Sequence, residues 1–135
     1  MMEPHVLIVD ADASAAEVTG AIVRHITPAA TIEIAATPER GWFSVRRRMP
    51  DVLIIDPSPD RTEGFVLVRL CQQLQPPPQI VVLTSAPTPI LRSQARQLGV
   101  HIYLEKPAAL AQLVEQLRAV LDRPQERPAP SLQHA

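Results

Sequence analysis

Short runs that are apolar at every position alternate along the chain with longer stretches in which apolar residues recur every three or four positions. "VLIV" (6–9) is uniformly hydrophobic, the pattern of a strand buried on both faces. Ser14 and Glu17 then stand at capping-box spacing, and Val18, Ile22, Val23 and Ile26 continue at helical period. "TIEIAA" (31–36) predicts a half-exposed strand. Thr37-Pro38-Glu39 starts a second helix, running to about residue 48 and stopped by Met49-Pro50. "DVLIID" (51–56) is the third strand. A helix from 63 to about 74 follows, with Phe65, Leu67, Leu70, Cys71 and Leu74 as its buried stripe, ended by Pro76-Pro77-Pro78. "QIVVLTS" (79–85) is a fourth buried strand. Pro87 and Pro89 precede a helix over about 90–98, with Gly99 as its C-terminal cap. "HIYLEK" (101–106) is a short fifth strand, and residues 110–121 form a last helix with Leu110, Leu113, Val114, Leu117 and Leu121 facing inward.

Five βα units with short connections predict an α/β domain over residues 1–122. Its sheet is parallel, covered by helices on both faces and built with right-handed crossovers. "RPQERPAPSLQHA" (123–135) is proline-rich and poor in apolar residues, the composition of a disordered tail. In such sheets ligands sit beyond the carboxyl ends of the strands, where the strand order switches. Asp10, Asp56, Thr84 and Lys106 each end a strand, so all four should meet along one edge.

Charge narrows the possible partners. Thirteen basic residues nearly balance fourteen acidic ones, for a net charge of −1. That offers no electrostatic case for nucleic acid or an anionic membrane surface. The one basic cluster, Arg46-Arg47-Arg48, reads as a solvated helix end. With Cys71 alone, the chain can form neither an internal disulfide nor a multi-cysteine metal site, and a reducing cytoplasm fits. No lysine or arginine precedes Arg24, unlike a secretory leader, and no apolar run approaches the roughly 20 residues needed to span a bilayer. His5, His25, His101 and His134 lie on separate elements without zinc-ligand spacing. No glycine-rich phosphate loop is present.

"VLIVDAD", "PDVLIID" followed by Gly64, "VVLTS" and "GVHIYLEKP", in this order on these elements, closely resemble the receiver domain of two-component response regulators. The resemblance runs from residue 5 to about 122. It implies the CheY-like, flavodoxin-like, doubly wound sheet of five parallel strands in the order 2-1-3-4-5. It also implies that Asp56 is the phosphoacceptor, served by a histidine kinase or phosphotransfer protein, or by a small phosphodonor. Lys106 and Thr84 would contact the phosphoryl group. Mg²⁺ would be held by Asp10, Asp56 and the backbone carbonyl of Ser58. Thr84 and Tyr103 would form the switch, Lys106-Pro107 would be a cis peptide, and a face of the fourth helix, fifth strand and fifth helix (Arg92, Arg96, Tyr103, Gln112) would bind a downstream target or a second copy. Such a protein is a cytoplasmic signalling domain in a phosphorelay, not an enzyme beyond its own phosphorylation and dephosphorylation.

The residues themselves leave alternatives open. Lys106 is the only lysine among thirteen basic residues, and it serves equally as a structural partner of Asp56. Thr84 can be a satisfied strand-end hydroxyl, and Tyr103 a half-buried ring at the sheet edge. Receivers usually end strand one with two adjacent acidic residues. Here Ala11 stands in the second place, and Asp12 follows one position later. Asp12 can act as a substitute ligand, can merely cap the first helix, or can sit beside a site that has lost its metal. The loop "PSPDRTEG" carries Asp60 where the family usually has proline. Two functions are therefore expected to compete: a stand-alone receiver phosphorylated on Asp56, and a degenerate receiver that binds partners without phosphorylation.

Overall fold

Strand β1 (His5–Val9) is buried at all five positions, and its side chains alternate between two separate cores. Leu7 and Val9 join Leu53, Ile55 and Val82 on one face; Val6 and Ile8 join Val52, Ile54, Val81 and Leu83 on the other. This period of two explains why the strands read as unbroken apolar runs: both faces are covered. The computed structural model describes residues 3–57, 61–100, 102–106 and 110–121. β1 lies between β2 (Thr31–Ala35) and β3 (Val52–Ile55), followed by β4 (Gln79–Thr84) and β5 (Ile102–Glu105). All pairings are parallel and the order is β2-β1-β3-β4-β5, as the resemblance implies.

Helices α2 (Pro38–Arg47), α3 (Arg61–Gln72) and α4 (Pro89–Gln97) pack on the first core through Val45, Phe65, Leu67, Val68, Cys71, Leu91 and Ala95. Helices α1 (Ala13–Ile26) and α5 (Leu110–Leu121) close the second through Ala16, Val23, Leu113, Leu117, Val120 and Leu121. Each fully buried Leu, Ile or Val contributes about 1.5–3 kcal/mol, so these two layers dominate the folding free energy. The β2 edge is half-exposed, as its mixed pattern predicts.

Two expectations about α1 are corrected. Its N-cap is Asp12, whose carboxylate accepts from the Ala15 N–H at 3.1 Å, so Ser14 and Glu17 do not form a capping box at its start. Its fully buried residues are Ala16, Thr19, Gly20 and Val23, with Ile22 and Ile26 packed partly buried beside them as expected, whereas Val18 is 60% exposed. Gly20 faces Ile32 and Ile8, where an added Cβ would sit in ordinary contact at 3.6 and 3.7 Å. Helix α4 begins at Pro89 rather than Ile90, capped by Thr88 as α2 is by Thr37. Gly99 takes the left-handed conformation at φ 82° just past α4, as expected for its cap. Leu70 and Leu74 of the predicted α3 stripe are half-buried, and Val68 takes a fully buried place there. The expected inward Leu110 side chain and the tail from residue 123 lie outside the described residues.

At the opposite end of the sheet from the strand-end aspartates, the His5 ring is buried at 4% exposure. Its backbone N–H donates to Asp51 at 2.8 Å, and its Nε2 stands 3.5 Å from Glu33, which also pairs with Arg47. Among the described residues neither ring nitrogen has a hydrogen-bond partner. Burial, aided by the charge of Arg48, lowers the His5 pKa below 6.5 against the opposing pull of Glu33 and Asp51. The unfolded chain therefore binds the extra proton first, and stability falls as pH drops through 6.5. His5→Leu is expected to lose less stability than the native chain between about pH 7.5 and 5.5, read from urea-unfolding midpoints.

Candidate functional site

Asp10 and Asp56 follow the last residues of β1 and β3, which are paired Val9 to Ile55. The backbone continues the ladder one step further: the Asp10 N–H donates to Ala35 and the Asp56 N–H to Val9, at 3.1 and 2.9 Å. Both carboxylates are thereby held level at the switch point, where the chain leaves β1 for β2 on one side and returns to β3 on the other. Each residue is almost fully buried, at 5% and 6% exposure.

Lys106 approaches from the far side. Its backbone N–H donates to the Thr84 carbonyl at 2.6 Å, next to the β4–β5 pair Thr84–Glu105. The side chain then reaches across β4's end, placing Nζ 2.6 Å from Asp10 Oδ2 and 3.1 Å from Asp56 Oδ2. Burial opposes the ammonium charge, but the hydrogen bonds and charges of Asp10 and Asp56 outweigh it and hold the Lys106 pKa above 10.5. Lys106 is thus a fixed cation at any physiological pH.

Further donors among the described residues come from the backbone and one hydroxyl. Asp10 Oδ1 accepts the Asp12 N–H at 2.9 Å, a short turn that leads directly into the Asp12 cap of α1. Asp56 Oδ2 accepts from both the N–H and the hydroxyl of Ser85, each at 3.2 Å. Ser85 was not singled out from the sequence, and its only signal was the second hydroxyl of "VVLTS". Thr84 is fully buried and its Oγ1 accepts the Ala86 N–H at 3.1 Å. Gly64 allows α3 to pass close behind Asp56: a Cβ there would sit 2.7 Å from the Pro57 Cβ.

Asp10, Asp56 and Lys106 are therefore in direct contact, and Thr84 is joined to them through the Lys106 backbone. Ala11 is exposed and brings no oxygen, and Asp12 spends Oδ1 on its helix cap. Tyr103 lies on β5 beneath Arg92, whose guanidinium is 5.2 Å from the ring centre and 3.7 Å from Glu105. The Tyr103 hydroxyl is buried without a partner among the described residues. Burial and the charge of Glu105 raise its pKa, against Arg92. Ser58, Asp60 and the peptide between Lys106 and Pro107 involve positions outside the described residues.

Comparison with known proteins bears on the family and the fold. The family profile described as "Response regulator receiver domain" matches residues 6–118. The methanol utilization control regulatory protein MoxX of Paracoccus denitrificans is 30% identical over 112 residues, covering 80% of this chain and 49% of that protein. Response regulator MprA of Mycobacterium leprae is 30% identical over 93 residues, covering 69% of this chain and 41% of that one. The chain thus spans about half the length of these relatives or less. Among solved structures, the signal receiver domain of a DNA binding response regulator protein from Colwellia psychrerythraea superimposes with a TM-score of 0.79 at 21% identity, covering 88% of this chain and 98% of the other. A CheY-like receiver domain protein from Methanospirillum hungatei does so with a TM-score of 0.77 at 24% identity, covering 88% and 94%. At those identities the structures speak for the fold.

Removing the cation should expose how the site is balanced. Lys106→Met leaves two buried carboxylates facing each other and is expected to destabilise the fold by about 2–4 kcal/mol in urea unfolding at neutral pH. Adding Asp10→Asn to Lys106→Met is expected to recover part of that loss, because it removes one of the two facing charges.

Proposed function

The chain belongs to the response regulator receiver family, and on that premise we propose that it accepts a phosphoryl group on Asp56 and thereby changes its affinity for a partner. Receiver domains are signalling domains that work with histidine kinases or phosphotransfer proteins and with downstream effectors. The observation that carries the reading is the Lys106 ammonium within reach of both buried carboxylates.

In the transfer, a carboxylate oxygen of Asp56 bonds to phosphorus as the bond from phosphorus to the donor breaks. The donor, a phosphohistidine or a small acyl phosphate, leaves with that electron pair. There is little covalent chemistry for the protein to do, so positioning and charge neutralisation dominate. Lys106 supplies one positive charge, and the hydroxyl of Thr84 is the donor assigned to the new phosphoryl group.

Receiver domains generally bind Mg²⁺ in this acidic pocket. Two level carboxylates already converging on one cation fit a Mg²⁺ site, which takes one or two carboxylates with waters and phosphate oxygens making up the rest. Asp10 and Asp56 would hold the ion, with Ser58 as the expected carbonyl donor. When bound, the ion would neutralise charge on the transferring phosphoryl group. With Ala11 in place of a second acid and Asp12 engaged as a cap, the affinity is weaker than a three-carboxylate pocket would give.

The phosphoryl group adds about −1.5 to −2 charge, enough to bias a surface with two arrangements. The responding surface in this reading is α4-β5-α5. There Arg92 bridges the Tyr103 ring and Glu105, and a downstream target or a second copy would dock on this face, with Arg96 and Gln112 as further expected contacts. A second reading, a degenerate receiver that binds its partner without phosphorylation, draws its support from Ala11 and the capped Asp12.

Incubation with acetyl phosphate and Mg²⁺ followed by intact mass measurement separates the two. A phosphoryl adduct that disappears in Asp56→Ala is the expected result. No adduct, together with no Mg²⁺ binding at millimolar concentration, would overturn it in favour of the second.

A further inference from the structure

We propose that Ser85 is a positioning residue whose hydroxyl sets how long Asp56 stays phosphorylated. The inference rests on Asp56 accepting a phosphoryl group, as proposed above. Among the described residues, Asp56 Oδ2 receives these three donors: Lys106 Nζ at 3.1 Å, the Ser85 N–H at 3.2 Å and the Ser85 hydroxyl at 3.2 Å. Two of the three come from one residue, and only the hydroxyl depends on its side chain. Ser85 is exposed, one step beyond β4, so changing its side chain leaves both cores untouched.

The consequence follows from the part the carboxylate plays in each direction. Once Asp56 is phosphorylated its carboxyl group is an acyl phosphate, with the Ser85 hydroxyl beside it. In hydrolysis, water bonds to phosphorus as the bond from phosphorus to the Asp56 oxygen breaks. The electron pair returns to the Asp56 carboxylate, and the water proton passes to solvent. Negative charge then spreads over both carboxylate oxygens, where the Ser85 hydroxyl stabilises it.

Phosphoryl transfer has a loose transition state, in which the bond to the leaving group is largely broken and the bond to the nucleophile hardly formed. Stabilising the carboxylate therefore acts strongly when Asp56 is the leaving group and weakly when it is the nucleophile. Ser85 should speed the loss of the phosphoryl group much more than it alters its uptake.

The test compares native chain, Ser85→Ala and Ser85→Thr, each loaded with acetyl phosphate and Mg²⁺. Uptake is followed by intact mass, and decay in the same way after the donor is removed. Ser85→Ala is expected to take up the phosphoryl group within about twofold of the native rate and to lose it about three- to tenfold more slowly, the scale of one ordinary intramolecular hydrogen bond. Ser85→Thr, which keeps the hydroxyl, is expected to restore the native decay. Normal uptake with unchanged or faster decay in Ser85→Ala overturns this inference alone, as does slow decay that threonine fails to correct. A native chain that takes up no phosphoryl group overturns the underlying function, and this inference with it.

Discussion

The Lys106 ammonium lies between the carboxylates of Asp10 and Asp56, at 2.6 and 3.1 Å, and the carboxyl edge of the sheet is built around that contact. Two buried carboxylates side by side would repel each other and would each forfeit hydration worth several kcal/mol. One cation shared between them offsets both penalties, while the Asp12 N–H donates to Asp10 Oδ1 and Ser85 adds two donors to Asp56 Oδ2. The same contact ties together residues 50 and 96 positions apart, so the ends of β1, β3 and β5 are held as one unit.

Ala11 changes the electrostatic balance of that unit. With Asp10, Asp56 and Lys106 the contacting groups carry one net negative charge, and a second acid beside Asp10 would make it two. The pocket is thus closer to balance without a divalent ion than one built on three carboxylates. Asp12, one residue on, is turned away by local geometry: its N–H is held by Asp10, and its own carboxylate caps α1 through Ala15. That cap satisfies a helix N–H which would otherwise lack a partner, a local gain that competes with any role in the pocket.

Much of this was legible along the chain. Strands two-sided in their burial showed as continuous apolar runs because parallel sheets covered on both faces have no polar side to reveal. Helix α2 was readable from Thr37 and Pro38, since a cap and a proline act within a few residues. The four strand-end residues could be placed on one edge because chain direction is the same in every parallel strand. Helix α1 was harder: Val18 has the hydrophobicity of a core residue, yet the helix turned small Ala16, Thr19 and Gly20 inward to lie close against Ile8 and Ile32.

By itself the sequence determined which residues would be strands, which would be helices, and that Asp10, Asp56, Thr84 and Lys106 would share an edge. These are consequences of local period and of chain direction, and both are written in neighbouring residues. Tertiary structure alone decided that Lys106 would bridge both aspartates rather than one, and that Ser85 would give two donors to a single oxygen. Each of those outcomes depends on distances of a few tenths of an ångström between residues from different strands, and such distances are set only once the sheet's register and the packing of its two cores are complete.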